Sequence, residues 1–187
     1  MRILAFGDSL TAGFGLPPGR SFADQLQSAL QAEGLGVEII NAGISGDTTT
    51  GGLARIGSAL RSRPDLVLLE LGTNDGLMGV DPELVRNNLD RIIRACRDAG
   101  AGVILAGAQA LGVWSGEYGR RFAAVFEDLA SEHALPFYPD ILSGVAGQMD
   151  LTLFDGIHPN EQGVARMVSA ILPLVRETVS WLSGTSA

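Results

Sequence analysis

Of 187 residues only one is cysteine, two are histidine and 6% are aromatic, and 13 basic side chains stand against 21 acidic ones. One cysteine excludes an intrachain disulfide, and Cys96, in the run Ile92-Ile93-Arg94-Ala95-Cys96, reads as the buried side of a helix. A formal net charge of -8 sets a nucleic-acid partner against an adverse field, so that role would need a concentrated basic patch. The only tight basic pairs, Arg61/Arg63 and Arg120/Arg121, read as solvated helix ends, and no nucleic-acid partner is expected. No apolar stretch approaches the roughly 18 residues that a membrane span requires. The residues Ile3 to Phe6 are too short for a signal core, so the chain as written is expected in the cytoplasm, or in the periplasm if a leader has been removed. Repeats, linkers and low-complexity tracts are also missing, which predicts one domain over 1–187 with a frayed tail at 183–187, as a monomer or a small homo-oligomer.

Against these absences, short apolar runs bounded by turn residues recur at Ile3 to Phe6, Val37 to Ile40, Leu66 to Leu71, Val103 to Ala106 and Leu135 to Tyr138. They read as buried strands. Helix-period segments alternate with them at Phe22 to Ala32, Thr50 to Leu60, Pro82 to Asp98 and Tyr118 to His133, and Gln162 to Leu182 follows the last strand. Asp81-Pro82 looks like an N-cap with proline at the first helical position, and Gly100 closes the same helix. The alternation predicts an α/β fold: three layers, α/β/α, around a flavodoxin-like five-stranded parallel sheet in the order 2-1-3-4-5.

Ligands of open parallel sheets bind beyond the carboxyl ends of the strands. Three polar, glycine-rich turns land there: Gly7-Asp8-Ser9, Asn41 to Asp47, and Gly72-Thr73-Asn74-Asp75. Asp155-Gly156-Ile157-His158, just before the last helix, can reach the same edge. A serine hydroxyl is a weak nucleophile at neutral pH until a base takes its proton. Ser9 is the candidate nucleophile, His158 the candidate base and Asp155 its orienter. The other histidine, His133, sits at a helix end, where a cation is favourable against the helix dipole, and reads as structural. Asp8, Asp47 and Asp75 could together hold magnesium, but each has a turn backbone to bind and no histidine or cysteine joins them; no metal is expected. Gly13 to Gly19 has the wrong spacing for a dinucleotide loop.

The four turns, in order, resemble the four blocks of the SGNH, or GDSL, hydrolase family: Gly7-Asp8-Ser9-Leu10, Ser45-Gly46-Asp47, Gly72-Thr73-Asn74-Asp75 and Asp155-Gly156-Ile157-His158. The resemblance covers nearly the whole chain. It implies that the backbone N–H groups of Ser9 and Gly46 and the side-chain amide of Asn74 receive the oxyanion formed when an ester carbonyl is attacked. Gly43 is a near neighbour that competes with Gly46 for the second role. Ile44 to Thr49, Leu69 to Leu77 and Tyr118 to Phe122 resemble the small thioesterase I, arylesterase and lysophospholipase group of that family, which implies hydrolysis of acyl esters and thioesters with no cofactor. Leu77, Met78, Leu111, Val113, Trp114 and Ile157 are candidates to line an acyl pocket, although Ala108 to Gly116 departs from that group's pattern. An acyltransferase using the same triad, or a silent binding module on the same scaffold, remain open.

Overall fold

A computed structural model describes residues 1–110 and 116–184. Five strands, β1 (Arg2–Gly7), β2 (Glu38–Asn41), β3 (Leu66–Glu70), β4 (Gly102–Ala106) and β5 (Phe137–Tyr138), form one parallel sheet in the order β2-β1-β3-β4-β5. The expected topology is the observed one. Around the sheet lie α1 (Ser9–Ala12), α2 (Phe22–Ala32), α3 (Thr49–Ala59), α4 (Thr73–Met78), α5 (Pro82–Asp98), α6 (Glu117–Glu132) and α7 (Glu161–Leu182).

Successive strand residues point to opposite faces, and in a sheet covered on both sides each face must be apolar. Leu4, Phe6, Val67, Leu69, Val103 and Leu105 pack with α3, α5 and α6 on one face. Their alternates, Ile3, Leu66, Leu68, Ile104 and Ala106, pack with α2 and α7 on the other. This arrangement accounts for the uninterrupted apolar runs of the inner strands. Burial of each such large side chain contributes about 1.5–3 kcal/mol relative to exposure.

The caps also follow the sequence. Asp81 Oδ1 accepts from the Glu83 N–H with Pro82 in the first turn of α5, and Gly100, at φ 81°, follows that helix. Cys96 is fully buried on α5, and burial pushes its thiol up to about 12, which leaves it unreactive. His133 caps α6, its Nε2 is 2.7 Å from Asp90 Oδ1, and Arg97 donates to its carbonyl. Arg61, Arg63, Arg120 and Arg121 are exposed, as solvated helix ends should be. Two α-helices were not anticipated, α1 and α4, of four and six residues, which wind the turns after β1 and β3 into helices too short to show a period. Strand β5 is two residues long rather than the four expected: Leu135 and Pro136 run into it without strand geometry, although the Pro136 carbonyl already accepts from the Leu105 N–H at 3.0 Å.

Candidate active site

The sheet brings the four turns to one edge. Ser9 opens α1 immediately after β1, with Asp8 as N-cap; Asp8 Oδ1 accepts from the Leu10 N–H at 2.9 Å. Asp155 and His158 occupy a small hairpin before α7, pinned by the Thr152–Pro159 bridge and by the bond from the Leu153 N–H to the His158 carbonyl. Ser9 Oγ lies 2.9 Å from His158 Nε2, and His158 Nδ1 lies 2.6 Å from Asp155 Oδ2. Hydroxyl, imidazole and carboxylate thus form one hydrogen-bonded series. The carboxylate end is fixed by main chain, since Asp155 Oδ1 accepts from the N–H groups of Ile157 and His158, each at 2.9 Å. Burial raises the Asp155 carboxyl, but the bonds from those N–H groups and from the imidazole outweigh it and bring the group down to about 2. It is therefore an anion at neutral pH, able to hold an Nδ1–H and leave Nε2 as an acceptor.

Asn74, in the first turn of α4, points its amide between two neighbours: Nδ2 donates to the Asp47 carbonyl at 2.8 Å and to Asp8 Oδ2 at 3.1 Å. Gly46, at φ 81°, is exposed, and a Cβ there would meet nothing within 4 Å. Gly43 differs. A Cβ on it would lie 2.2 Å from the Ala12 backbone N, so its task is close approach to the turn that carries Ser9.

Beneath Ser9 lies a layer of carboxyl groups. Glu70, at the end of β3, accepts from Thr11 Oγ1 at 2.8 Å and from the Asp8 N–H at 3.3 Å. Burial, then the charge of Asp8, holds Glu70 well above the usual carboxylate range. Burial likewise pushes Asp8 up to about 6, against the Leu10 bond and the His158 ring, which lower it. Asp75 is raised by burial and partly relieved by the backbone and hydroxyl of Thr49. The three aspartates suspected of magnesium binding each have protein partners, Asp47 taking Arg55 and the Thr48 N–H. Among the described residues, no group of three or more His, Cys, Asp or Glu could hold a metal ion.

Of the suggested pocket residues, Met78 is exposed, Leu77 is half-buried, and Ile157 packs against the core under α2 and α7. Leu111, Val113 and Trp114 lie outside the described residues. A hollow of about 470 Å³ lined by Met149, Thr152, Leu153, Phe154, Gly156 and Asn160 borders the Asp155–His158 hairpin. The sequence reading missed Phe14, whose ring centroid is 4.6 Å from that of His158, and Arg55, which binds Asp47. An aromatic residue following the GDSL turn was the only available signal for the first.

A serine, histidine and aspartate in series above the carboxyl edge of a 2-1-3-4-5 sheet is the architecture of a carboxylic ester hydrolase of the serine type. The chain belongs to the GDSL-like lipase/acylhydrolase family, whose model matches residues 5–166. It is 36% identical over 162 residues to an arylesterase of Vibrio mimicus, covering 86% of this chain and 81% of that protein. To the thioesterase 1/protease 1/lysophospholipase of Escherichia coli it is 33% identical over 159 residues, covering 84% of this chain and 75% of that one. The crystal structure of TesA superposes with a TM-score of 0.90 at 35% identity, covering 94% of this chain and 98% of the other. Among the described residues no helix is long and apolar enough to cross a membrane.

Proposed function

We propose that the chain hydrolyses aryl and short- to medium-chain acyl esters, and acyl thioesters, through an acyl-enzyme on Ser9. The observation that carries this reading is the unbroken series from Ser9 Oγ through the imidazole to Asp155, at 2.9 and 2.6 Å. As Ser9 attacks the carbonyl carbon, its proton passes to His158 Nε2, and the imidazolium is held by Asp155. The carbonyl oxygen, now an anion, is received by the N–H groups of Ser9 and Gly46 and by Asn74. Asn74 must exchange one of its two present bonds to do so, and the 3.1 Å contact to Asp8 is the longer. His158 then returns the proton to the leaving alcohol or thiol, and water attacks the acyl-enzyme with the same base.

Hydrolysis is favoured over acyl transfer by exposure. The side chains of His158 and Asp155 are 25% and 41% exposed, so bulk water reaches the base. Thioester cleavage is supported by the likeness to a thioesterase, and an apolar substrate group by the hollow beside Phe154 and Met149. Ser9→Ala is expected to abolish turnover of p-nitrophenyl acetate and labelling by a fluorophosphonate while the protein stays folded; substantial residual turnover would overturn the assignment. Rates across p-nitrophenyl esters and acyl-CoA thioesters of rising chain length are expected to peak at short to medium chains. A profile flat from acetyl to long chains would contradict a defined acyl pocket, and ester formation in place of acid on adding alcohol would favour a transferase.

A further inference from the structure

Arg55, midway along α3, has no part in moving the acyl group, yet it ties its helix to two of the turns that frame Ser9. Its Nε donates to Asp47 Oδ2 at 2.6 Å, one terminal nitrogen donates to the Ala42 carbonyl at 2.8 Å, and the other donates to the Gly7 carbonyl at 2.9 Å. The guanidinium lies 3.9 Å from the centroid of the buried Phe6 ring, a stacking that fixes its plane. Gly7 ends β1 one residue before the Asp8–Ser9 turn, and Ala42 follows β2.

Asp47 is where these contacts bear on chemistry. Its carbonyl accepts from Asn74 Nδ2, and it directly follows Gly46, so both remote oxyanion donors depend on where this residue sits. Its Oδ1 accepts from the Thr48 N–H, and a Cβ on Gly51 would lie 1.9 Å from that oxygen. The carboxylate therefore tucks over the first turn of α3, toward Arg55. The Asp47 and Arg55 side chains are only 10% and 19% exposed. Without the arginine, a poorly hydrated Asp47 would be left with the charges of Asp8 and Asp75, which already feel it.

We infer that Arg55 is a positioning residue for the oxyanion hole, holding Asp47, and through it Gly46 and Asn74, in register with the Ser9 turn. This rests on the esterase reading above. A planar fork suits the task because three acceptors from two turns are met by one planar group; a lysine ammonium would satisfy Asp47 but could not span both carbonyls.

The test compares Arg55→Met and Arg55→Lys in otherwise wild-type enzyme and in Asn74→Ala, with p-nitrophenyl acetate as substrate and thermal unfolding as a check on folding. Arg55→Met is expected to lower kcat by about tenfold or more, with KM within about twofold, because the donors act on the transition state rather than the bound ester. Arg55→Lys, which keeps a cation opposite Asp47, should recover part of that loss, and it serves alone if the methionine variant does not fold. On the Asn74→Ala background the further loss should shrink to a third or less, since residues acting through one network are not additive. A folded Arg55→Met that keeps kcat within fivefold, or that changes only KM, overturns the inference, as does a loss of undiminished size when Asn74 is absent; where only Arg55→Lys folds, a kcat equal to that of wild type overturns it. Wild-type enzyme without esterase turnover would instead refute the functional reading beneath it, so the two failures are distinguishable.

Discussion

Asp155 divides its two oxygens between different tasks. Oδ1 is taken by two main-chain N–H groups and Oδ2 by the imidazole. Asp155→Asn keeps an oxygen for the main chain but turns an NH₂ toward His158, forcing the tautomer whose Nε2 carries a proton and cannot accept one from Ser9. We expect kcat for p-nitrophenyl acetate to fall about 10³- to 10⁴-fold with an intact fold; a drop below tenfold would mean that Asp155 does not set the tautomer. Asn74→Ala should cost on the order of 10² in kcat, and an unchanged value would return Asn74 to the role of a turn residue. His158 and Asp155 were legible because the chain offers only two histidines and one lies in a turn with an aspartate three residues before it, whereas Asn74 was named through the resemblance of its turn to the family's third block. Arg55 and Phe14 were not, because their partners are main-chain carbonyls and rings contributed by distant segments, and no local pattern encodes such meetings.

Among the elements, the strands were readable from their apolar runs because the inner ones are buried on both faces. Helices α1 and α4 were not readable: one turn leaves no period, and what winds them is the N-cap of Asp8 and the closing glycines Gly13 and Gly79, both at positive φ. The turn after β2 shows how two glycines in one segment can do different work. Gly43 lets that turn lie against the α1 backbone, whereas Gly46 faces open space. Gly43→Ala should therefore destabilise the protein by about 1–3 kcal/mol and lower kcat by displacing the Ser9 turn, as read by urea unfolding and p-nitrophenyl acetate turnover. An unfolding midpoint equal to that of wild type would remove the close approach from the account.

For the whole molecule, the buried carboxyls under Ser9 link stability to pH. Asp8 rises from 3.8 to about 6 on folding, and Glu70 moves well above 4.5, so the folded chain keeps protons that the unfolded chain releases. Their contribution to stability is complete below about pH 4 and is lost as pH rises through their folded values. Asp155 acts in the opposite sense, and its contribution is lost only as pH falls toward about 2. Glu70→Gln keeps an oxygen for Thr11 and for the Asp8 N–H but cannot ionise. Its unfolding midpoint in urea should gain on wild type between pH 5 and pH 8, and curves that stay parallel would show that Glu70 does not titrate on unfolding. None of this could be read from the sequence, where Glu70 is one acidic residue at the end of an apolar run.

The bond between Ser9 and His158 joins residues 149 positions apart, and the serine directly follows the turn out of β1, a strand flanked by β2 and β3 in the interior of the sheet. During synthesis the hydroxyl leaves the ribosome long before its base. On the proposed mechanism, the serine has no base until the hairpin carrying His158 has emerged and docked on the completed sheet. Ester turnover by the refolding protein would then report the moment at which the two ends of the chain have met across the sheet.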